Sequence, residues 1–415
     1  MEFTTDKELA VYIKGLGGTL WLVGGAVRDE MLGLACSDND YLITGVDISA
    51  LPFERIAGST FPVFLVKIGG EYCEVAMARK ERKNGVGHKG FEFFADKSVS
   101  VKDDLARRDF TINSMAINVI TGELHDPFGG EVDLHIYKVI RQTSVAFKED
   151  PLRVFRAARF SAKLGFYIDC GTMSAMESLR DEIPSLPGER VWNETIKALN
   201  TASPSKYFRA LHETRCLGHW FKELDALHVP DKHDGTAFDH TMKVMDHGRT
   251  PLERFGLLVH DLGKGLTPAE NHPSHHGHDQ LGVQAVNDLC DRLKVPNEYR
   301  NMGVLCARDH MRCKRATEMR PGKFFRMCVD TGTYFDDLMH VSRIDSSFRD
   351  GGDVNAEQEY FNKVMLMARC AFAVEYDITG MHIINEGYEP GPKIGEMLLC
   401  RRIHEYKRRI TATNT

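Results

Sequence analysis

The stretch LVGGAVRDEMLGLACSDNDYLITG, Leu22 to Gly45, decides how the first third of the chain is read. WLV (21–23) at its start and YLI (41–43) near its end read as two strands, separated by a Gly-Gly turn and a short helix. In an extended segment residues i and i+2 project from one face, so Asp38 and Asp40 present their carboxylates together. Such a pair can hold hard, oxygen-seeking cations such as Mg2+. Two such ions can activate an attacking hydroxyl and stabilise a departing pyrophosphate. Glu74, in the strand-like EYCEVAMAR, is the candidate third carboxylate. An isolated Asp-x-Asp is ordinarily a polar turn, and the upstream segment shifts that balance. A strand, a Gly-Gly turn and a helix start offer backbone N–H groups to phosphate oxygens, with Arg28 one helical turn further on.

The whole chain sets the frame. Its 415 residues suggest two to four domains, and 42% hydrophobic with 27% charged residues is typical of globular protein. No apolar run is long enough for a membrane helix and the start has no signal-peptide pattern, so a cytoplasmic protein without membrane contact is expected. Ten cysteines without a Cys-x-x-Cys pair suggest neither a zinc ribbon nor a disulfide framework. The net charge of −6 argues against a generic polyanion binder. Local basic patches remain, at 78–90, 107–110, 153–160 and 401–409; the last reads as a solvated helix face.

Up to about residue 135, apolar runs alternate with turns: TLWLVGG, NDYLITG, PVFLVKIGG, EYCEVAMAR and SMAINV. From about Asp150 the spacing turns helical, in DPLRVFRAARFSAKLGF, PGERVWNETIKALN and PSKYFRALHETRCLGHW. From about His240 histidine becomes dense. The expected fold class is α+β: a small mixed or antiparallel-sheet head (1–137), an all-α neck and body (138–232), an all-α histidine-rich domain (233–350) and a helical tail (351–415).

LVGGAVRD…LG…SDNDYLITG closely resembles the start of the class II CCA-adding tRNA nucleotidyltransferases, relatives of the bacterial poly(A) polymerases. RRDFTINSMA (107–116), DPFGG (126–130), EDPLRVFRAARF (149–160) and ERVWNE (189–194) follow in the order that family has. The resemblance implies that Gly25 and Arg28 contact nucleotide phosphates and sugar, and that Asp38 and Asp40 hold Mg2+ with Glu74 as the third acid. It also implies that Arg108 contacts the nucleotide and that Asp109 and Asn113 hold its ribose. Poly(A) polymerases of the family carry a basic pair shortly after the Asp-x-Asp strand. Here Ser59 and Thr60 stand in that place, which favours CCA addition.

In EDPLR the local reading is a helix start, with Asp150 as N-cap and Pro151 at the first helical position. Asp150 and Arg153 are also three residues apart and can share a helix face. A carboxylate accepts from an exocyclic amine and a guanidinium donates to a ring nitrogen. Cytosine and adenine offer that amine-and-nitrogen edge, whereas guanine and uracil present the opposite polarity. One Asp–Arg pair can therefore admit C and A without a template, which is the use the family makes of it. Arg156 and Arg159 extend the basic face toward triphosphate or RNA backbone.

In the second half, FDHTMKVMDHG (238–248), LLVHDLGKG (257–265), PSHHGHDQLG (273–282), ARDHM (307–311) and SRIDSS (342–347) form an ordered series. The series resembles the HD phosphohydrolase pattern, whose imidazoles and carboxylates suit Ni2+, Mn2+ or Co2+. The resemblance implies His240, His260, Asp261 and Asp345 as ligands, with His276, His278 and His310 nearby as ligands or phosphate contacts. Lys264 reads equally as a further phosphate contact or as a plain surface lysine. Relatives often carry an acid after the histidine matching His310; here Met311 stands there and Asp309 precedes. His228, His233, His247 and His272 read as surface residues.

The reading is an enzyme that adds CCA to tRNA 3′ ends from CTP and ATP, with a second, metal-dependent phosphohydrolase site. It is expected to bind no DNA and to exist as monomer or homodimer. The alternatives are a poly(A) polymerase-like enzyme, or an HD phosphohydrolase with an inactive head.

Overall fold

The protein is described from a computed structural model, covering residues 2–35, 39–55, 63–83, 91–94, 96–143 and 145–413. It divides into two compact units. One holds residues 1–198 and 210–216, the other 199–209 and 217–415. The class is α+β, as the sequence implied: the strands of the main sheet all lie in the first unit and the second is helical. The neck and body expected to be all-α (138–232) are not entirely so, because two short strands, Val139–Ile140 and Tyr167–Ile168, pair in parallel there, too short for a sequence pattern to mark.

The sheet forms from the expected apolar runs. Its strands are β1 (Glu2–Phe3), β2 (Thr19–Val23), β3 (Tyr41–Thr44), β4 (Glu54–Arg55), β5 (Val63–Ile68) and β6 (Glu71–Met77). A separate hairpin of β7 (Lys80–Lys83) and β8 (Phe91–Phe94) follows, and β9 (Ala116–Asn118) and β10 (Leu124–His125) complete the main sheet. The order is β1-β5-β6-β3-β2-β9-β10, with β4 on β5. β1 on β5 and β3 on β6 run parallel, and the remaining pairs are antiparallel, so the sheet is mixed.

Strand alternation gives the sheet two apolar faces. Tyr41, Ile43, Phe64, Val66, Val75 and Met77 pack with Leu9 and Ile13 of the Asp6–Gly15 helix. Leu42, Val23 and Ala116 turn the other way, onto Leu105 of the Val101–Ala106 helix. That second helix starts with a capping box, Ser100 with Asp103, so its last turn presents Asp104, Arg107 and Arg108 in a fixed place. The Leu152–Leu164 helix ends at Gly165, whose φ of 74° supplies the left-handed C-cap that other residues adopt at a cost.

The second unit is a set of packed helices: Ala237–Met245, Pro251–Val259, His278–Leu293, Asn297–Cys313 and Phe335–Phe348, followed by Val354–Asp377 and Lys393–Thr413. Gly303 lets three of them meet. A methyl group there would lie 2.9–3.0 Å from Phe255, Val259 and Val286. No helix among the described residues is long and apolar enough to cross a membrane.

A buried charge network ties two of these helices together. Glu253 is fully buried and accepts from Arg249 (2.8 Å) and from His340 (3.0 Å) on the Phe335–Phe348 helix. Burial would raise its pKa, but those donors win and bring it to about 2. Neighbouring Asp337 moves the opposite way: burial, then the Glu253 charge, push it up to about 6. Because the folded value exceeds the unfolded one, Asp337 costs nothing below about pH 4 and progressively more as pH rises to about 6. Asp337→Asn should therefore stabilise the protein by about 1–2 kcal/mol at pH 7.5, with the gain fading toward pH 4. Urea unfolding at the two pH values measures it, and an equal difference at both contradicts it.

Candidate functional site

The first site grows from the Gly-Gly turn. Val23 ends β2, Gly24 takes φ 70° and ψ −125°, and the helix Gly25–Met31 begins at once. Only glycine adopts this backbone readily, and the space matters as much, since a methyl group on Gly24 would lie 2.5 Å from Arg108 Nη1. Gly25 has more room, 3.5 Å to Arg28 Nη2. Asp40 directly precedes β3, and its carbonyl accepts from the Val23 N–H. β3 and β6 pair in parallel with Tyr41 beside Val75, so one residue back Asp40 stands level with Glu74 on the same sheet face. Asp38 lies outside the described residues, as do Ser59 and Thr60.

A cavity of about 680 Å3 opens beside the Gly24–Gly25 turn and Asp40. Gly24, Gly25, Arg28, Asp40, Arg108, Asp109, Asn113, Asp150, Arg153 and Arg156 all line it, which unites every described candidate of the head except Glu74. Nine arginine and lysine side chains face it against three aspartates. A chain of net charge −6 thus concentrates positive charge at one place, as a polyphosphate ligand requires.

Acids behind the wall hold these cations in place. Asp104, fully buried, pairs with Arg107 (2.6 Å) and Arg108 (3.3 Å); burial raises its pKa, but the two guanidinium groups outweigh that and hold it low. Asp109 receives Arg156 at 2.6 Å and the Asn113 amide at 3.0 Å, and here too the partners outweigh burial and lower its pKa. Asn113 passes the chain on by accepting from Arg28 at 2.5 Å, while Asp29 pairs with both Arg28 and Lys163. Arg156 and Arg159 were expected to face triphosphate or RNA. Both line the cavity, but Arg156 is committed to Asp109 and Arg159 to buried Glu194. The N-cap expectation shifts by one residue. Pro151 occupies that position, while Asp150 Oδ1 caps the Leu152 N–H at 2.9 Å. Arg153 Nη2 donates to the Arg107 carbonyl at 2.8 Å.

The second site lies in the other unit, around a cavity of about 410 Å3. His240 Nε2 is 3.0 Å from Asp345 Oδ1, which is 3.8 Å from His260 Nε2; His260 Nε2 is 3.1 Å from Asp261 Oδ2. On the far oxygen of Asp261, His278 Nε2 stands at 3.3 Å and His310 Nε2 at 3.5 Å. Two sets of three donors, His240–His260–Asp261 and Asp261–His278–His310, each lie close enough to hold an ion.

The tautomers test whether a cation fits. The Nδ1 atoms of His260, His278 and His310 donate to the carbonyls of Leu257, His275 and Cys306 at 2.7–2.8 Å. A carbonyl only accepts, so each Nδ1 carries a proton, and in the neutral ring each Nε2 turns a lone pair inward. His278 and His310 then point lone pairs at each other across 3.4 Å, and His260 Nε2 and Asp261 Oδ1 are buried with no hydrogen bond. This donor set suits a divalent ion. Burial pushes the His310 pKa down to about 3, keeping it a neutral donor. For His240, burial lowers the pKa, yet the hydrogen bond and charge of Asp345 prevail and raise it.

His276 is exposed and lines the cavity, as do Lys264 and His233, the latter read from sequence as a plain surface residue. Lys264 is already engaged with Asp231 (2.6 Å) and Asp261 (2.8 Å). Asp309 turns away from the cluster to Arg308 and Arg312, and Met311 lines the cavity instead. Three supporting residues were not singled out from sequence: Asp231, Asp234, which accepts from His240 Nδ1 at 2.7 Å, and Lys314, 2.7 Å from Asp345. Each acts through a partner distant in the chain or in a loop, and no local pattern marks it.

Comparison with known proteins gives consistent results. Residues 20–141 match the family described as the poly(A) polymerase head domain, and 165–227 one described as a probable RNA- and SrmB-binding site of polymerase A. The multifunctional CCA protein of Xanthomonas campestris pv. campestris (strain B100) is 39% identical over 407 residues, covering 92% of this chain and 97% of that one. That of Acinetobacter baumannii (strain AYE) is 41% identical over 325 residues, 74% and 78% of the two chains. The fold resembles the Bacillus stearothermophilus CCA-adding enzyme solved with CTP (TM-score 0.65, 22% identity, 95% and 90% of the two chains). It also resembles the Thermotoga maritima enzyme solved with tRNA (TM-score 0.65, 20% identity, 99% and 94%).

The two glycines of the turn should respond differently to a methyl group. Gly24→Ala strains the backbone and displaces Arg108, and should lower nucleotide affinity at least tenfold, or about 1.4 kcal/mol. Gly25→Ala should change it by less than about threefold. Calorimetric titration with CTP compares them, and equal losses contradict the assignment.

Proposed function

This chain belongs to the family of multifunctional CCA proteins, and from that premise we propose how its residues divide the work of adding CCA to tRNA 3′ ends and of hydrolysing phosphate esters. The observation that carries the first activity is the cavity lined by nine cationic side chains, Arg153 among them, and by Asp150. The cations receive the triphosphate of CTP or ATP, with Arg28 and Arg108 beside the Gly24–Gly25 turn. Asp109 and Asn113 meet the ribose, and Arg156 holds Asp109 in place. Asp150 accepts from the exocyclic amine and Arg153 donates to the ring nitrogen, so C and A are admitted and G and U refused.

Asp38, Asp40 and Glu74 would hold Mg2+, and the register of β3 on β6 supports the last two acting together. When bound, such ions lower the pKa of the attacking 3′-hydroxyl and carry the charge of departing pyrophosphate. In the second unit His240, His260, Asp261 and Asp345 would hold a divalent transition metal such as Ni2+, Mn2+ or Co2+, with His278 and His310 as further donors. That ion would polarise a phosphoryl group, and 2′,3′-cyclic or 2′-phosphates at RNA ends are the substrates that suit a tRNA repair enzyme. Lys314, Arg315 and Arg349, which line the cavity with His276, supply contacts for the phosphate. The domain plan is a head (1–137), a neck and body (138–232), an HD domain (233–350) and a tail (351–415), working on tRNA in the cytoplasm as monomer or homodimer.

The match of residues 20–141 to the poly(A) polymerase head favours one alternative, a polymerase that adds A without stopping. Transcripts ending before CCA, at C and at CC separate the two readings on a sequencing gel. Addition of C, C and A followed by a stop is expected, and long A tails would contradict it. Asp40→Ala should reduce incorporation by about 10^3-fold or more and leave hydrolysis of a 2′,3′-cyclic nucleotide intact. His260→Ala should do the reverse.

A further inference from the structure

Resting on the proposed nucleotide selection by Asp150 and Arg153, we propose that Arg190 is the positioning residue that sets the plane of the Asp150 carboxylate and thereby the choice of C and A over U and G. Asp150 is held at both oxygens. Oδ1 accepts from the Leu152 N–H at 2.9 Å, and Oδ2 accepts from Arg190 Nη2 at 3.1 Å. Arg190 comes from the first turn of the Gly188–Leu199 helix, forty residues on, and lines the same cavity.

The physical need for it follows from the carboxylate torsion. Rotation about Cβ–Cγ of an aspartate is soft and roughly two-fold, so one backbone donor on one oxygen leaves the second free to swing. A base edge is planar, and reading it takes an acceptor and a donor held in one plane. Arg153 has its own anchor, the Arg107 carbonyl at 2.8 Å. Arg190 supplies the matching anchor for Asp150. It does not block the base, because a carboxylate has about four lone-pair sites and Oδ2 can accept from Arg190 and an exocyclic amine together.

Arg190 is not needed to seat its helix. That helix is joined to the Leu152–Leu164 helix by the buried Arg159–Glu194 pair at 2.5 Å, and Val191 and Trp192 are buried beside it. A second nitrogen, Arg190 Nη1, is buried without a hydrogen-bond partner, so the guanidinium is placed for Asp150 rather than for a network of its own.

The test compares kcat/KM for CTP against UTP on a transcript lacking CCA, and for ATP against GTP on one ending in CC. Wild type, Arg190→Gln and Arg190→Lys are measured beside their melting temperatures. Arg190→Gln should narrow both ratios by about tenfold, the loss falling on KM for CTP and ATP more than on kcat. Arg190→Lys, which keeps a charged donor, should recover part of the ratio. An equal loss for right and wrong nucleotides, or unchanged ratios in both variants, overturns the inference while leaving CCA addition in place. No incorporation by wild type overturns the enzyme reading, and the inference with it.

Discussion

A cavity walled by nine cations stands only if anions behind the wall hold cations in place, and buried or half-buried carboxylates do that for most of them. Asp104 takes Arg107 and Arg108, Asp109 takes Arg156, Glu194 takes Arg159, and Asp29 takes Arg28 with Lys163. Buried pairs of this kind add little net stability, because desolvation offsets most of the Coulomb gain. Removing one partner is different: an uncompensated buried charge costs roughly 3–5 kcal/mol. The network therefore fixes geometry more than it contributes stability. Each guanidinium in these pairs has an acid behind it and donors to spare, and those donors can meet a triphosphate without the side chain first having to order.

The second unit solves the converse problem. Its cavity gathers inward lone pairs among the cationic side chains that also line it, and backbone carbonyls do the fixing. Leu257, His275 and Cys306 take the Nδ1 protons of three histidines, which forces three Nε2 lone pairs inward toward Asp261. His240 is set by Asp234 in place of a carbonyl, and Asp234 is itself held by Lys243 at 2.8 Å. Helix spacing accounts for the economy. His278 and His310 each reach a carbonyl three or four residues back, so the same turn that carries the ligand also orients it.

Much of this was legible in the chain and part was not, for reasons of distance. The apolar runs became strands where alternation placed them, and Gly-Gly between strand and helix, Asp-x-Asp, and the ordered histidines marked both sites locally. Arg156 and Arg159 show where local reading ends. Their helical spacing gave the right face, but Asp109 and Glu194, which claim them, lie 47 and 35 residues away. Gly25 was singled out where Gly24 carries the constrained backbone, because sequence cannot say which of two glycines takes the positive φ. Asp104, Asp234 and Lys314 carry no motif at all. They are ordinary charged residues until the fold brings a partner to them.

Each cavity draws its lining from a single unit, residues 24–197 for one and 231–349 for the other. Among the described residues, neither cavity is lined by a side chain from the other unit. Substitutions that share no partner act independently in free energy, so the two chemistries can be lost or tuned separately. What joins them is the substrate. An RNA 3′ end closed as a 2′,3′-cyclic phosphate has no free 3′-hydroxyl for nucleotide addition, whereas the end hydrolysed to its 2′,3′-diol does. A chain carrying both sites can thus convert an end that the first cavity must refuse into one that it extends.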